Sequence, residues 1–191
     1  GRRDGWTGVS ATGAGAGTRE AVARAIHRRR RREAQSRWVR AGVLAVLVLV
    51  ADQITKIVVR ETMNLHESIA LFPGLDITRV NNTGIAFGLF PGRATAVSVL
   101  TVLALCAIAG ALAGLVARNA TVAAGAGLLI GGSVGNLIDR LSHGAVTDFI
   151  DPARWPAFNV ADIGIVTGAA LIVFGLLKEE PGHDPGVDTG T

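Results

Sequence analysis

Sulfur and imidazole are scarce in this chain. Among 191 residues there are one cysteine and four histidines. A single thiol excludes an internal disulfide. No charged residue near Cys106 in sequence would activate it, so it reads as a small core or lipid-facing residue. His27 and His183 fall in the terminal segments, and His66 and His143 do not make a helical metal-binding pattern. No metal centre and no cofactor is therefore expected. The glycine loop that cradles nucleotide phosphates is missing. Ser142 and His143 are neighbours without an orienting acid, which argues against a serine-type site. Charge is also thin, at 18% of residues against 49% hydrophobic, and the mean hydropathy is +0.42. Residues 94–117, 120–138 and 163–177 carry no charge at all. Runs of that length favour a polytopic membrane protein over a soluble helical one.

What charge there is lies unevenly. Eleven of the nineteen Lys and Arg residues precede residue 41. The net charge of +4 is thus concentrated in one arm and does not describe the whole surface. Residues 1–36 are rich in Gly, Ala, Thr and Arg, with few bulky apolar side chains, and are expected to be a disordered or loosely helical tail. The arginine run at 28–32 could bind nucleic acid. Its position just ahead of an apolar segment instead suits a cytoplasmic anchor, so no nucleic-acid partner is expected. The stretch lacks the short apolar core and cleavage site of a secretory signal peptide. Position 1 is Gly rather than Met, so the natural start is expected further upstream.

Four spans follow from the apolar runs, at about 38–59, 94–117, 120–138 and 160–177. The first would extend about 33 Å as a helix, enough to cross the hydrocarbon core. Asp52 and Lys56 interrupt it four residues apart, on one helix face, where they can pair. The pair either only orients the helix or lets Asp52 position groups of a site. Residues 60–93 are too long for a simple turn. Strand-like patches at 68–72 and 75–81, split by Pro73-Gly74, predict a small sheet at the membrane surface. The segment Asn81-Asn82-Thr83-Gly84 is a turn signal. It is either a plain hairpin or a loop whose Asn82 amide and Gly84 backbone hold an extended substrate. The fold expected is an all-α membrane protein of four transmembrane helices with a small extracytoplasmic β-sheet. Residues 37–178 would form the four-span domain, and 179–191 a second disordered tail. With the basic arm inside, both termini are cytoplasmic, and the connections 60–93 and 139–159 lie outside.

That topology gathers Asp52, Asp139, Asp148 and Asp162 at one membrane depth. Acids there are costly to desolvate and mark function. A carboxylate cluster can bind a cation, relay protons or activate water between two carboxyls. In the last case the two groups share one proton: the ionised carboxyl takes a proton from water, and the other donates to the oxyanion. Asp148 and Asp162 have apolar neighbours that would raise a carboxyl pKa. Asp139 has Arg140 beside it and reads as half of a structural ion pair. Asn159 and Asn136 each precede an aspartate by three residues. They either support the acids or merely cap helix ends.

Five blocks resemble the bacterial lipoprotein signal peptidases, the type II signal peptidases. They are Asp52-Gln53-Ile54-Thr55-Lys56, Asn82-Thr83-Gly84-Ile85-Ala86-Phe87-Gly88, Gly135-Asn136-Leu137-Ile138-Asp139-Arg140, Val146-Thr147-Asp148-Phe149 and Phe158-Asn159-Val160-Ala161-Asp162. The resemblance covers residues 38 to 178. It implies an intramembrane aspartic endopeptidase with Asp148 and Asp162 catalytic. Supporting roles fall to Asp52, Lys56, Asn82, Asn136, Arg140 and Asn159. It also implies diacylglyceryl-modified prolipoproteins as substrates, cut before the lipidated cysteine on the outer side of the bacterial plasma membrane. Membrane lipids would be further partners, and the cyclic peptide globomycin an inhibitor. A small cation- or proton-conducting protein using the same acids is the other class of reading.

Overall fold

The structure, a computed structural model, describes residues 12–83 and 94–178. In chain order the elements are α1 (Thr12–Thr62), β1 (Ser68–Phe72), β2 (Leu75–Asn82), α2 (Ala94–Val116), α3 (Ala120–His143), β3 (Val146–Pro152) and α4 (Val160–Leu177). All four helices include stretches long and apolar enough to cross a membrane. Their outward faces carry Leu47, Leu100, Leu103 and Val166, each more than half exposed, as lipid-facing side chains are. Cys106 is exposed on α2.

α3 is the central helix. It packs on α1, α2 and α4. Lipid tails are as apolar as leucine, so burial alone does not hold membrane helices together; close backbone contact does much of that work. The glycines of α3 supply it on two faces. A Cβ at Gly127 or Gly131 would run into the backbone of Ala41 or Ala45 on α1. One at Gly132 would meet the Ala161 carbonyl on α4. Both ends of α3 are closed. The Asn119 side chain caps the start by accepting from the N–H groups of Thr121 and Val122, while its amide donates to Gly175 O at 3.0 Å. Gly144, at φ 72°, ends the helix in the left-handed region, its N–H bonded to Arg140 O.

The sheet has the order β1-β2-β3, with both pairings antiparallel. Pro73-Gly74 makes the first turn, as expected. β3 was read from the sequence as part of a connection. It is a full strand, paired so that Val80 faces Asp148 and Asn82 faces Val146. Val59 and Met63 at the end of α1 pack with Phe149, joining bundle to sheet. Arg79 tightens the junction by donating to the Arg60 and Met63 carbonyls at 2.9 and 2.7 Å.

The N-terminal arm was expected to be disordered or loosely helical. From Thr12 onward it is helix continuous with the first span. Ala, Arg and Glu are strong helix formers. Arg24–Glu20 and Arg29–Glu33 ion pairs at i,i+4 add local support on an exposed helix. Residues 1–11, the 179–191 tail and Gly84 lie outside the described residues.

Gly131→Ala is expected to lower stability by about 1–3 kcal/mol through overpacking against α1. Gly110, whose Cβ would meet nothing within 4 Å, is the control. Its change to Ala should be neutral or slightly stabilising. Thermal unfolding of both variants in detergent checks the pair.

Candidate active site

Three positions on α1 define one polar stripe: Asp52, Lys56 and Arg60, spaced four apart. They face Asn136 and Asp139 on α3. Lys56 Nζ lies 2.9 Å from Asp52 Oδ2 and 3.3 Å from Asp139 Oδ2, and it donates to Asn136 Oδ1 at 2.8 Å. Asp52, Lys56 and Asp139 are fully buried. Arg60 completes the charge balance, 3.3 Å from Asp139 Oδ1 and 3.1 Å from Thr147 Oγ1. Two acids and two cations thus meet in a largely buried site with each charge compensated.

The two buried acids also grip backbone. Asp52 Oδ1 accepts from Ala161 N at 2.9 Å. Asp139 Oδ2 accepts from Thr147 N at 3.0 Å. Ala161 immediately precedes Asp162, and Thr147 immediately precedes Asp148. Each structural acid therefore fixes the peptide unit next to one of the two remaining aspartates. The Asp52–Lys56 pair expected from spacing is present and does more than orient a helix.

Asp148, on β3, is 3% exposed. Its Oδ2 accepts from the Asn82 amide at 3.0 Å, and its Oδ1 from the Asn159 amide at 2.6 Å. Asp162 sits in the first turn of α4. Its Oδ1 accepts from the Asn136 amide at 2.8 Å, and its Oδ2 from Asn159 N at 3.2 Å. Asn159 is the N-cap of α4 and forms a reciprocal capping box with Asp162. Its amide also donates to Asn136 Oδ1 at 3.2 Å. One side chain therefore both caps α4 and bonds the Asp148 carboxylate. Asn136 is no cap; it lies inside α3 and joins Lys56 to Asp162.

Burial pushes the Asp148 carboxyl up to about 6, and the nearby Asp162 charge acts in the same direction. The Asn82 and Asn159 hydrogen bonds and the Lys56 charge oppose the rise without cancelling it. Asp162 is less enclosed. It borders a cavity of about 390 Å³ between α2, α3 and α4, with Val97, Ser133 and Arg140 on its walls. A second cavity of about 340 Å³, with Trp155, Phe158 and Val166, reaches the same carboxyl from the other side of α4. Among the described residues, no three His, Cys, Asp or Glu side chains gather in a group that could hold a metal ion.

One sequence expectation fails. Asp139 does not pair with Arg140. Consecutive helical residues point about 100° apart, so the two side chains leave α3 in different directions. Asp139 turns to Lys56 and Arg60. Arg140 lines the cavity beside Asp162 and donates to Asn136 O at 3.4 Å. Arg60 and Thr147 were missed. The four-residue spacing of Asp52, Lys56 and Arg60 was the available signal for the first. Thr147 acts largely through its backbone, which side-chain chemistry does not reveal.

A signal peptidase II family model matches residues 44–178. The chain belongs to the signal peptidase II family. It is 38% identical over 144 residues to a lipoprotein signal peptidase of Halothermothrix orenii, covering 72% of this chain and 95% of the relative. It is 41% identical over 141 residues to one from Pelotomaculum thermopropionicum, covering 72% and 91%. A solved bacterial membrane enzyme shares the fold at a TM-score of 0.64 and 32% identity, covering 74% of this chain and 93% of its own. Family membership makes this a protease of the membrane, and the matched region contains every aspartate of the cluster.

Lys56→Met is expected to destabilise the protein by about 3–5 kcal/mol, since it leaves two buried carboxylates without their shared cation. Equilibrium unfolding in detergent measures this. A second expectation concerns pH. Asp148 holds its proton more tightly folded than unfolded, so folding takes up protons between the two pKa values. Stability contributed at acid pH is then lost as pH rises from about 4 to about 6. Asp148→Asn lacks this loss, so its melting point should gain on wild type across that interval.

Proposed function

We propose that this chain is an aspartic endopeptidase that removes signal peptides from lipid-modified prolipoproteins, cutting before the diacylglyceryl-cysteine. The observation that carries the reading is the Asn159 amide and backbone joining Asp148 to Asp162, with the Asp148 carboxyl pushed up to about 6. The names of the relatives support the substrate class.

In this mechanism Asp148, the more buried acid, holds the shared proton. Asp162 acts as the general base and faces the cavities through which substrate and water enter. Water attacks the scissile carbonyl carbon as Asp162 takes its proton, and Asp148 protonates the carbonyl oxygen. The tetrahedral intermediate collapses as Asp162 returns a proton to the leaving nitrogen. The carbon–nitrogen bond breaks, and Asp148 recovers its proton from the hydroxyl. Asn82, Asn136 and Asn159 hold the carboxyl rotamers, a task suited to amides in a site with little water. Arg140 lines the substrate cavity. Asp52, Lys56 and Asp139 fix the backbone from behind. No metal or cofactor takes part in this scheme.

With the basic arm cytoplasmic, both termini lie inside and the aspartate pair sits at the outer leaflet. A globomycin-type cyclic peptide would inhibit by occupying the cavity beside Asp162. Membership of a peptidase family, and the engagement of every buried acid by a fixed partner, argue against a cation- or proton-conducting protein.

The test is incubation of the purified protein with a diacylglyceryl-modified prolipoprotein, reading signal-peptide release on a gel. Asp148→Asn and Asp162→Asn should each lower turnover by at least ~10²-fold while remaining folded. Asn159→Ala should lose about 1 kcal/mol of stability as a lost cap. It should also lose roughly ten- to a hundredfold in turnover as a lost support. Near wild-type turnover in either aspartate variant would remove the dyad assignment.

A further inference from the structure

The N-terminal arm precedes the region matched by the family, which begins at residue 44. It nevertheless builds part of a shaped surface. His27, Arg30, Arg31 and Arg37 follow the i, i+3, i+4, i+10 spacing of one helix face. They line a groove of about 620 Å³ against Arg118 in the turn between α2 and α3. Arg37 ties the two sides together: its guanidinium donates to Ala117 O at 2.7 Å and lies 4.0 Å from Glu33. Glu33 is the one acid in the groove wall. Four arginines around one concavity form an anion site by charge, and guanidinium suits phosphate by shape.

The chemistry changes just past Arg37. A second groove, of about 390 Å³, also has Arg37 on its wall. It continues along α1 and α3 over Val43, Leu44, Ala123 and Ala124. Its side chains are apolar apart from Arg37 and Arg40. A polar, cationic groove and a mostly apolar one thus share Arg37 on their walls. The junction falls where the first apolar span begins, at the opposite end of the helices from the aspartates. A soluble anion would use only the first compartment. A nucleic acid would have no use for the second.

We infer that this paired groove binds one anionic phospholipid. Its phosphate lies among Arg30, Arg31 and Arg118, and an acyl chain runs down the α1–α3 groove. The lipid clasps the helical arm to the bundle at the membrane surface, where basic side chains are drawn to anionic headgroups. This binding is independent of the aspartate chemistry.

The test uses the full-length protein in non-ionic detergent, titrated with phosphatidylglycerol or phosphatidylcholine and followed by native mass spectrometry. One phosphatidylglycerol is expected to bind selectively. A variant combining Arg30→Gln, Arg31→Gln and Arg118→Gln should weaken that binding by at least about tenfold. A charge-matched variant combining Arg28→Gln, Arg29→Gln and Arg32→Gln, on the other face of the arm, should bind like wild type. Unchanged melting points establish that both variants are folded. Glycerol phosphate, which has the headgroup chemistry without chains, should fail to displace the lipid. Equal binding of both lipids, or equal loss in both variants, would overturn the inference. So would displacement by glycerol phosphate or by a short RNA at concentrations comparable to the lipid's own.

Discussion

One buried ammonium group organises the active end of this protein. Lys56 stands between Asp52 and Asp139, and all three are inaccessible. Buried charges of this kind do not add much stability on balance, because desolvation offsets most of their attraction. Their value here is positional. Lys56 orients both carboxylates, and each also accepts from a backbone N–H: Asp52 through its other oxygen, Asp139 through the same Oδ2 that faces Lys56. Asp52 takes the peptide before Asp162, and Asp139 takes the peptide before Asp148. A first span and a third span thereby set the spacing of two acids that belong to neither.

The precision of this arrangement depends on how closely the helices approach. The glycines of α3 bring backbone onto backbone against both α1 and α4. At Gly135 the contact is with the Asp52 carboxylate itself, 2.5 Å from where a Cβ would lie. A methyl group there would push Asp52 away from Lys56 and from Ala161. The small residues of this helix thus serve the polar network as well as the packing.

The sequence was most readable where physics acts locally. Uncharged runs announced the spans, and Pro73-Gly74 announced the turn between two strands. The acids could be placed at one depth by counting crossings. Less readable were features that depend on partners distant in sequence. β3 is a strand because β2 offers it an edge, although some 66 residues separate Asn82 from Asp148. Asp139 chose Lys56 and Arg60 over its own neighbour because helix geometry, not adjacency, decides what a side chain can reach. The dual task of Asn159 needed three dimensions to see, since its cap partner is three residues away and its carboxylate partner lies on another element. The arm was legible only in part. Its few apolar residues left disorder and loose helix both open, and its alanines, arginines and ion-paired glutamates favour helix without a core.

The contribution of α4 has a consequence for biogenesis. This helix is the last of the four to leave the ribosome. It brings Asp162, the Asn159 that seats Asp148, and the Ala161 peptide that satisfies Asp52. Until it docks, the earlier spans hold one aspartate of the pair without its companion or its bracket. On the proposed mechanism the chain is therefore inert throughout translation and insertion. It would become competent in a single step, when its final span enters the bundle, and a nascent copy would not attack peptides passing beside it in the same membrane.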